Sequence, residues 1–217
     1  MTDQKVAIIG LGNIGQAIAG NLSKSNRTFI VADRTVSKAV ALASYWGSLV
    51  EAEDISNAVK NAAIVILAIP FQEISNFLTY YASDLEGKII IDPSNPIAPD
   101  ENGGFKKIIG PGKSAGEINS KALPKNARLV KALGTLGADS LSNAAYQSPE
   151  QAVLFYASDD AAASLAIEKI SNDMGFEALR IGGINQSIRI EVFGDLHEFG
   201  ALGKTATLSE ARQKVQS

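Results

Sequence analysis

The chain has no cysteine and one histidine among its 217 residues. The lack of cysteine excludes a disulfide framework, a thiol nucleophile and cysteine ligation of a metal. The histidine and the carboxylates show no metal-ligand spacing either, so we expect no metal centre. Neither sign of charge is in large excess, since the chain has 20 basic and 23 acidic residues. This balance favours neither a nucleic acid nor an anionic membrane as a partner.

Long hydrophobic runs are missing as well. No apolar stretch approaches the roughly 20 residues that a membrane-spanning helix needs. The start of the chain lacks the apolar segment of a signal peptide. The sequence therefore predicts a soluble, cytoplasmic protein. Its hydrophobic content of 46% is enough for a full core, and its length suits one domain, or one domain with an appendage.

A glycine-rich turn near the N-terminus is the most informative feature that is present. The apolar run Val6-Ala7-Ile8-Ile9 leads into G-x-G-x-x-G and then into a helical pattern, which is the dinucleotide-binding fingerprint in its usual context. The first glycine allows the tight turn, the second leaves room for the pyrophosphate, and the third lets the helix lie close to the strand. We expect the whole turn to bind the cofactor: Gly10, Leu11, Gly12, Asn13, Ile14 and Gly15.

The choice of cofactor depends on the end of the second strand, predicted at 28–33. Asp33 follows Gly15 at about the distance where an acidic residue binds the adenosine ribose. Its carboxylate favours NAD and repels a 2′-phosphate, whereas Arg34 and Lys38 can neutralise that phosphate and favour NADP. NADP and NAD both stay open on these residues.

Strands and helices alternate along most of the chain, which predicts an α/β fold with a doubly wound, mostly parallel sheet. We expect a dinucleotide-binding domain over residues 1–150 and a small α/β extension over residues 151–217 that packs on it as essentially one unit. Residues 100–113 are irregular and glycine-rich, which predicts a loop or flap. A final helix is expected over 184–202, with an apolar stripe formed by Ile188, Val192, Leu196 and Phe199.

Three loops should meet where the strand order of the sheet reverses. Besides the glycine turn these are the loop with Ala68, Ile69 and Pro70 and the loop with Asn95 and Pro96. We expect the second and third loops to flank the nicotinamide. Hydride transfer needs a dry, oriented site more than an acid or a base, and we assign no catalytic residue.

The single histidine, His197, has two interpretations. It is a substrate contact or proton donor, or it is a surface histidine between the carboxylates Asp195 and Glu198. A lone histidine beside charged residues is common in proteins, which favours the second interpretation.

Motifs spread along nearly the whole chain are similar to one known family. They are the glycine turn, Ala68-Ile69-Pro70-Phe71, Asp92-Pro93-Ser94-Asn95-Pro96, Ser114-Ala115-Gly116-Glu117, Val130-Lys131-Ala132-Leu133 and Ser187-Ile188-Arg189-Ile190-Glu191. In this order they resemble the NADPH-dependent reductases of the deazaflavin coenzyme F-420, and the related cytosolic ferric-reductase domains of the STEAP proteins. The resemblance implies a Rossmann-like domain with a small C-terminal extension, NADP as cofactor, and hydride exchange with a flat, flavin-like ring.

The sequence departs from that family in two places. Asp33-Arg34 stands where the F-420 reductases have a pair like Ser-Arg for the 2′-phosphate. Gly134 and Gly137 stand where they have a histidine and a proline beside the deazaflavin. We expect these glycines to leave room for a bulkier ring or another acceptor. Residues expected at the substrate are Gly134, Thr135 and Leu136.

Two other functions fit the same sequence. One is an enzyme like the β-hydroxyacid dehydrogenases or imine reductases, which resemble the N-terminal part. The other is a non-catalytic sensor that binds NAD(P) and reports redox state, because fold does not decide function. The apolar stripe of the final helix is compatible with a homodimer and also with packing inside one chain.

Overall fold

The computed structural model describes residues 4–216 and shows a single large sheet with helices on both faces. Residues 1–3 and 217, the outer ends of the two predicted domain ranges, lie outside the described residues. Strands of the large sheet are β1 (Val6–Ile9), β2 (Phe29–Ala32), β3 (Val50–Ala52), β4 (Ile64–Leu67), β5 (Ile89–Asp92), β8 (Arg128–Ala132), β9 (Val153–Ser158) and β10 (Glu177–Gly182). A separate two-stranded sheet contains β6 (Ile97–Pro99) and β7 (Phe105–Lys107).

Helices connect most of the strands. The α-helices are α1 (Asn13–Leu22), α2 (Val36–Trp46), α3 (Ile55–Asn61), α4 (Phe71–Tyr80), α5 (Ala82–Leu85), α6 (Ala115–Ser120), α7 (Ala138–Asn143), α8 (Ala161–Asp173) and α9 (Leu208–Gln216). A 3-10 helix covers Ile184–Ile190. In the part of the chain that the structure describes, no helix has the length and apolar character that a membrane crossing requires.

The strand order of the large sheet is β10-β9-β8-β5-β4-β1-β2-β3. Neighbouring strands are parallel except for β8 and β9, which pair antiparallel. This confirms the predicted doubly wound, mostly parallel sheet. The reason lies in the strand sequences, since β1, β2 and β4 are apolar throughout and buried along their whole length. Such strands are stable only where helices cover both faces of a sheet.

The two faces of β1 show how the core divides. Val6 and Ile8 belong to the apolar cluster on one side of the sheet, and Ala7 and Ile9 belong to the cluster on the other. Alternate side chains of a strand point to opposite faces, so four consecutive apolar residues supply both layers.

The irregular segment 100–113 is more ordered than predicted, because β7 lies inside it and pairs antiparallel with β6. The connecting turn is closed by the Asp100 carboxylate, whose Oδ1 accepts hydrogen bonds from the N–H groups of Asn102 and Gly104. Gly103 takes the positive φ of 80° that this turn requires. The segment is therefore a hairpin that projects from the end of β5.

The predicted helix over 184–202 is wrong. Its first residues form the 3-10 helix, the chain then turns repeatedly through residue 200, and α9 follows at a position where we predicted none. A Cβ atom at Gly194 would overlap the carbonyl oxygens of Ile188 and Arg189, and one at Gly200 would overlap that of Gly194. The backbone folds back on itself here, which only glycine permits.

The apolar stripe expected on that helix is therefore not a single face. Val192 and Leu196 are buried within the chain and belong to different packing environments, whereas Phe199 is half-exposed. A homodimer stays a prediction, without a continuous stripe to support it.

The segment after residue 150 is linked to the N-terminal half by a partly buried ion pair. Arg27 lies just before β2, and its Nε lies 2.6 Å from Oδ2 of Asp173 at the end of α8. The Arg27 side chain is almost fully buried, so its charge has little water to replace that carboxylate. Because β9 also pairs with β8, we expect the two predicted domains to unfold together.

We predict that Asp173→Ala lowers the free energy of unfolding by about 2 kcal/mol, because it leaves a buried guanidinium without its partner. Urea unfolding should be followed by the fluorescence of Trp46, the one tryptophan of the chain, and by circular dichroism. Both probes should shift together, although Trp46 lies in α2 and Asp173 in α8.

The control is Lys204→Ala, which removes one partner of an exposed ion pair with Glu210. Its effect should stay within about 0.5 kcal/mol. Separate transitions for the two probes would show instead that residues 151–217 unfold independently.

Candidate functional site

A cavity of about 710 Å³ lies beyond the carboxyl ends of β1, β4 and β5. The strand order reverses between β1 and β4, and ligands of open α/β sheets bind at such a point. Four segments form its walls besides the glycine turn: residues 68–71, the loop after β5, and two later stretches of the chain around residues 134–140 and 192–199. The three loops expected to meet here do so.

The three glycines of the turn have separate structural roles. Gly10 has a φ of 93°, and a Cβ on it would lie 2.5 Å from the carbonyl oxygen of Ala68. A Cβ on Gly15 would overlap the carbonyl oxygen of Gly10, so α1 packs directly on the turn. Gly12 differs, because nothing lies within 4 Å of a Cβ built there and it borders the cavity. The first two are needed by the fold, and the third keeps space open.

The beginning of α1 suits an anion. Its N-cap is Gly12, and no side chain caps it, whereas Asp54, Ser114 and Asp160 cap α3, α6 and α8. The N–H groups of a first helical turn have no partner inside the helix, and the helix dipole adds positive charge there. The geometry therefore fits a pyrophosphate against Asn13 and Ile14, both of which line the cavity.

Asp33 lies at the end of β2, away from the cavity wall, and its carboxylate is partly used by the fold. Oδ2 accepts a hydrogen bond from the N–H of Leu11 at 2.9 Å, and Oδ1 accepts one from the N–H of Thr35 at 3.0 Å. Burial acts to raise the pKa of Asp33, but the two backbone N–H groups and the charges of Lys38 and Arg34 outweigh it and lower the pKa. The carboxylate is therefore ionised at neutral pH, with two cationic side chains beside it.

Asn95 connects three segments of the cavity wall. Its Nδ2 donates to the carbonyl oxygen of Gly134 at 2.9 Å, and its Oδ1 accepts from the N–H of Val192 at 2.7 Å. Asn95 itself lines the cavity, whereas Pro96 is buried outside the lining. Asn95, which we predicted to contact the ligand, therefore connects the loops after β5 and β8 with the segment after the 3-10 helix.

Buried charges lie beneath this loop, and sequence reasoning gave them no role. Lys131 is an interior residue of β8 and ion-pairs with Asp92 at the end of β5, with 3.1 Å between Nζ and Oδ2. The ammonium group also donates to the carbonyl oxygen of Ser94. Asp92 accepts from the N–H of Ser94 and from Nδ2 of Asn119. A lysine within an apolar strand and an aspartate at the end of another were the available signals.

Glu191 is the third buried charged residue of this region. It accepts hydrogen bonds from the N–H groups of Ala115 and Gly116 at the start of α6. Burial raises the pKa of Glu191, although Lys131 and the two N–H groups act in the opposite direction. The glutamate fixes the start of the 191–199 segment to α6.

The interpretation of His197 as a surface residue is wrong, since it is only 1% exposed and borders the cavity. Its Nδ1 accepts from the N–H of Phe199 at 2.9 Å, which requires the proton to be on Nε2, where it is donated to the carbonyl oxygen of Gly134 at 2.9 Å. Burial is the main cause that lowers the pKa of His197 to about 4. The imidazole is therefore neutral and holds the backbone on both sides of the cavity.

The space beside Gly134 and Gly137, which we expected to be open to a ligand, is occupied by other residues of the chain. A Cβ on Gly134 would overlap the carbonyl oxygen of Pro93, and a Cβ on Gly137 would lie 2.9 Å from Cζ of Phe199. Of the three residues expected at the substrate, Gly134 and Leu136 line the cavity. Thr135 is buried behind it, and its hydroxyl has no hydrogen-bond partner among the described residues.

The chemistry of the wall is mostly apolar. Its hydrophobic members are Ile14, Ala68, Ile69, Pro70, Phe71, Pro93, Ile97, Phe105, Leu136, Ala138, Val192 and Phe199. Within residues 4–216, no lysine or arginine lines it. The Glu198 carboxylate accepts from the N–H of Gly137 at 2.7 Å and bonds the hydroxyl of Ser140, so it caps α7. This cavity suits flat, apolar groups, and with Asp139 and Glu198 as its acidic lining residues it disfavours an anion.

Comparison with known proteins confirms the resemblance found in the sequence. Residues 5–96 match the family described as NADP oxidoreductase, coenzyme F420-dependent. Rat metalloreductase STEAP3 is 25% identical over 187 residues, which cover 86% of this chain and 36% of that protein. The chain thus spans about a third of the length of this curated relative.

Solved structures agree on the fold. A hypothetical protein of Sinorhizobium meliloti shares 25% identity and a TM-score of 0.82, over 95% of this chain and 96% of that one. A candidate F420-dependent NADP reductase of Arthrobacter sp. FB24 shares 22% identity and a TM-score of 0.71, over 85% and 87% of the two chains. The family match supports an oxidoreductase with a nicotinamide cofactor.

We predict that His197 does not titrate between pH 5 and 8, because burial lowers its pKa to about 4 from the ordinary 6.5. The unfolded chain binds the proton below pH 6.5 and the folded chain only near pH 4, so this residue makes stability fall as the pH drops through that window.

Since the chain has one histidine, its ring signals in a proton–nitrogen NMR correlation need no assignment. They should report the neutral Nε2–H tautomer throughout that range. A midpoint near pH 6.5 would instead mean that the imidazole is exposed to water. His197→Gln serves as the control, since the loss of stability attributed to this residue between pH 6.5 and 4 should disappear with it.

Proposed function

We propose that the protein is an NADP(H)-dependent oxidoreductase that exchanges hydride with a small, planar, flavin-like acceptor. The observation that supports this most directly is one cavity that joins the uncapped start of α1 to an apolar pocket at the reversal of strand order. The start of α1 fits a dinucleotide phosphate, and the apolar pocket fits two stacked rings.

The residues present fit the nucleotide along its whole length. Gly12 leaves the space that the pyrophosphate needs. The apolar side chains of Ile69 and Pro70 lie where the nicotinamide ring would pack. At the other end, Arg34 is exposed and Lys38 Nζ lies 3.9 Å from Asp33 Oδ2, so two cations would be available to a nucleotide whose ribose binds at Asp33. They support NADP as the cofactor, in spite of the Asp33 carboxylate.

The bound cofactor would supply a hydride, which converts a flavin-like ring to its reduced anion, and that anion would take its proton from water after leaving the cavity. The chain's own residues would contribute position and dryness. Asn95 and His197 fix the backbone on either side of the cavity, and the apolar wall keeps water from the reacting atoms. No group on the wall is needed as an acid or base.

The same wall bears on the competing functions. A hydroxyacid carries a carboxylate that needs a cation, and no lysine or arginine lines the cavity among the described residues. This favours an uncharged ring over a hydroxyacid.

A sensor would bind the nucleotide but would not oxidise NADPH with any acceptor. Purified protein should therefore be incubated with NADPH and with flavins, coenzyme F-420 or chelated ferric ion, and loss of NADPH absorbance with one of them would support the enzyme.

We predict that Gly12→Ala raises the Kd for NADPH at least 10-fold without lowering the melting temperature. Gly12 has an ordinary φ of −69° and open space around its missing side chain, so the methyl group would meet only the pyrophosphate. Calorimetric titration and thermal unfolding measure the two effects.

Gly20→Ala is the matched control on the same helix, where a Cβ would meet ordinary contact at 3.5 Å from Trp46. It should leave the Kd unchanged and raise helix stability slightly. Unchanged NADPH binding by Gly12→Ala would place the pyrophosphate elsewhere.

We also predict that Arg34→Ala and Lys38→Ala each weaken NADPH binding about 10-fold and leave NADH binding within about 2-fold, since each would lose a charge-assisted bond to the 2′-phosphate. Lys60→Ala, at the end of α3, is the control for a general loss of positive charge. Equal effects on the two nucleotides would contradict NADP as the preferred cofactor, and binding of neither nucleotide by the unaltered protein would overturn the whole proposal.

A further inference from the structure

Two phenylalanine rings stand half-exposed on the wall of the cavity. Phe105 and Phe199 are each 54% exposed, although both line the same concave surface. Of the other large apolar side chains of this wall, Leu136 and Val192 are buried, and Ile14, Ile69, Phe71 and Ile97 are partly buried. Aromatic faces left open inside a cavity are a recognition feature more often than a packing defect.

Phe199 is held in place by its neighbours. Its N–H donates to Nδ1 of the buried His197, and the two rings lie 5.7 Å apart between centroids at an angle of 40°. The ring lies against Gly137, where any side chain would collide with it. Its backbone is thus fixed from inside the protein, while its outer face stays open to the cavity.

Phe105 comes from a different part of the chain. It is the first residue of β7 and pairs with Pro99 of β6. Alternate residues of a strand share a face, which places Phe105 on the same face of the hairpin as Ile97, and both residues line the cavity. The hairpin therefore carries one aromatic ring to the site, and the 191–199 segment carries the other.

We propose that Phe105 and Phe199 are the ring-binding residues for the acceptor, and that the acceptor is recognised as a planar, uncharged aromatic system. This rests on the proposed function, in which the nicotinamide packs against Ile69 and Pro70 in the same cavity. Phenyl side chains bind flat rings by offset or edge contacts, beyond the effect of buried area. The wall supplies no lysine or arginine from the described residues, so an anionic group of the acceptor would find no cationic partner there.

The test uses lumiflavin, a flavin ring without a charged tail, titrated onto the protein with and without NADP⁺ and followed by flavin fluorescence. Phe105→Leu and Phe199→Leu keep an apolar side chain but remove the ring, and we expect each to raise the lumiflavin Kd about 10-fold. Phe105→Tyr and Phe199→Tyr keep the ring and should bind within about 3-fold of the unaltered protein. Circular dichroism checks that each variant is folded.

Phe193→Leu is the matched control. Phe193 is 53% exposed and lies in the same segment as Phe199, but it is outside the cavity lining. Its replacement should leave lumiflavin binding unchanged. Equal binding by the leucine variants at positions 105 and 199 would overturn the assignment of these rings, and so would equal weakening by Phe193→Leu.

The outcome for the nucleotide is read separately, by titrating NADP⁺ onto the same variants. Unchanged NADP⁺ binding with lost lumiflavin binding supports the assignment. Failure of lumiflavin to bind the unaltered protein, while NADP⁺ binds, would overturn the ring-binding proposal and leave the nucleotide site standing. Failure of NADP⁺ alone would count against the proposed function, and not against the two rings.

Discussion

The ion pair between Lys131 and Asp92 is the interaction on which the site depends. Both side chains are buried at the carboxyl ends of neighbouring strands, where a lone charge would cost several kcal/mol. Each partner also binds the backbone of Ser94, Lys131 at its carbonyl and Asp92 at its N–H. The loop after β5 is therefore fixed by buried electrostatics, and through Asn95 it fixes the later segments of the wall.

The buried ionisable residues around the cavity have structural roles. Asp92, Lys131, Glu191 and His197 are all buried, and each has its polar atoms occupied by backbone groups or by one another. They shape the cavity without providing a free acid or base on its surface. The wall is left mostly apolar, with Phe105 and Phe199 open to it. A rigid frame around a mostly apolar surface is compatible with the hydride transfer that we propose.

The sequence predicted those features of the fold that depend on local patterns of residues. The glycine turn and the apolar strands follow from short-range rules, and they appear nearly where expected. The 184–202 segment failed because its conformation depends on distant partners. Glu191 is held by α6, and Gly194 allows backbone contacts that no helical period reveals. The burial of His197 follows from that same fold-back, so its role was out of reach of periodicity.

Asp33 shows why residue type alone leaves cofactor choice open. The carboxylate joins the glycine turn to the start of α2 through Leu11 and Thr35, so the fold needs an acceptor at this position whichever nucleotide binds. Each of its oxygens keeps one lone pair for a ribose hydroxyl. An aspartate here is therefore compatible with a structural role, and it does not by itself select NAD. Under the proposed function, discrimination would then fall to Arg34 and Lys38, whose positive charges act on that carboxylate.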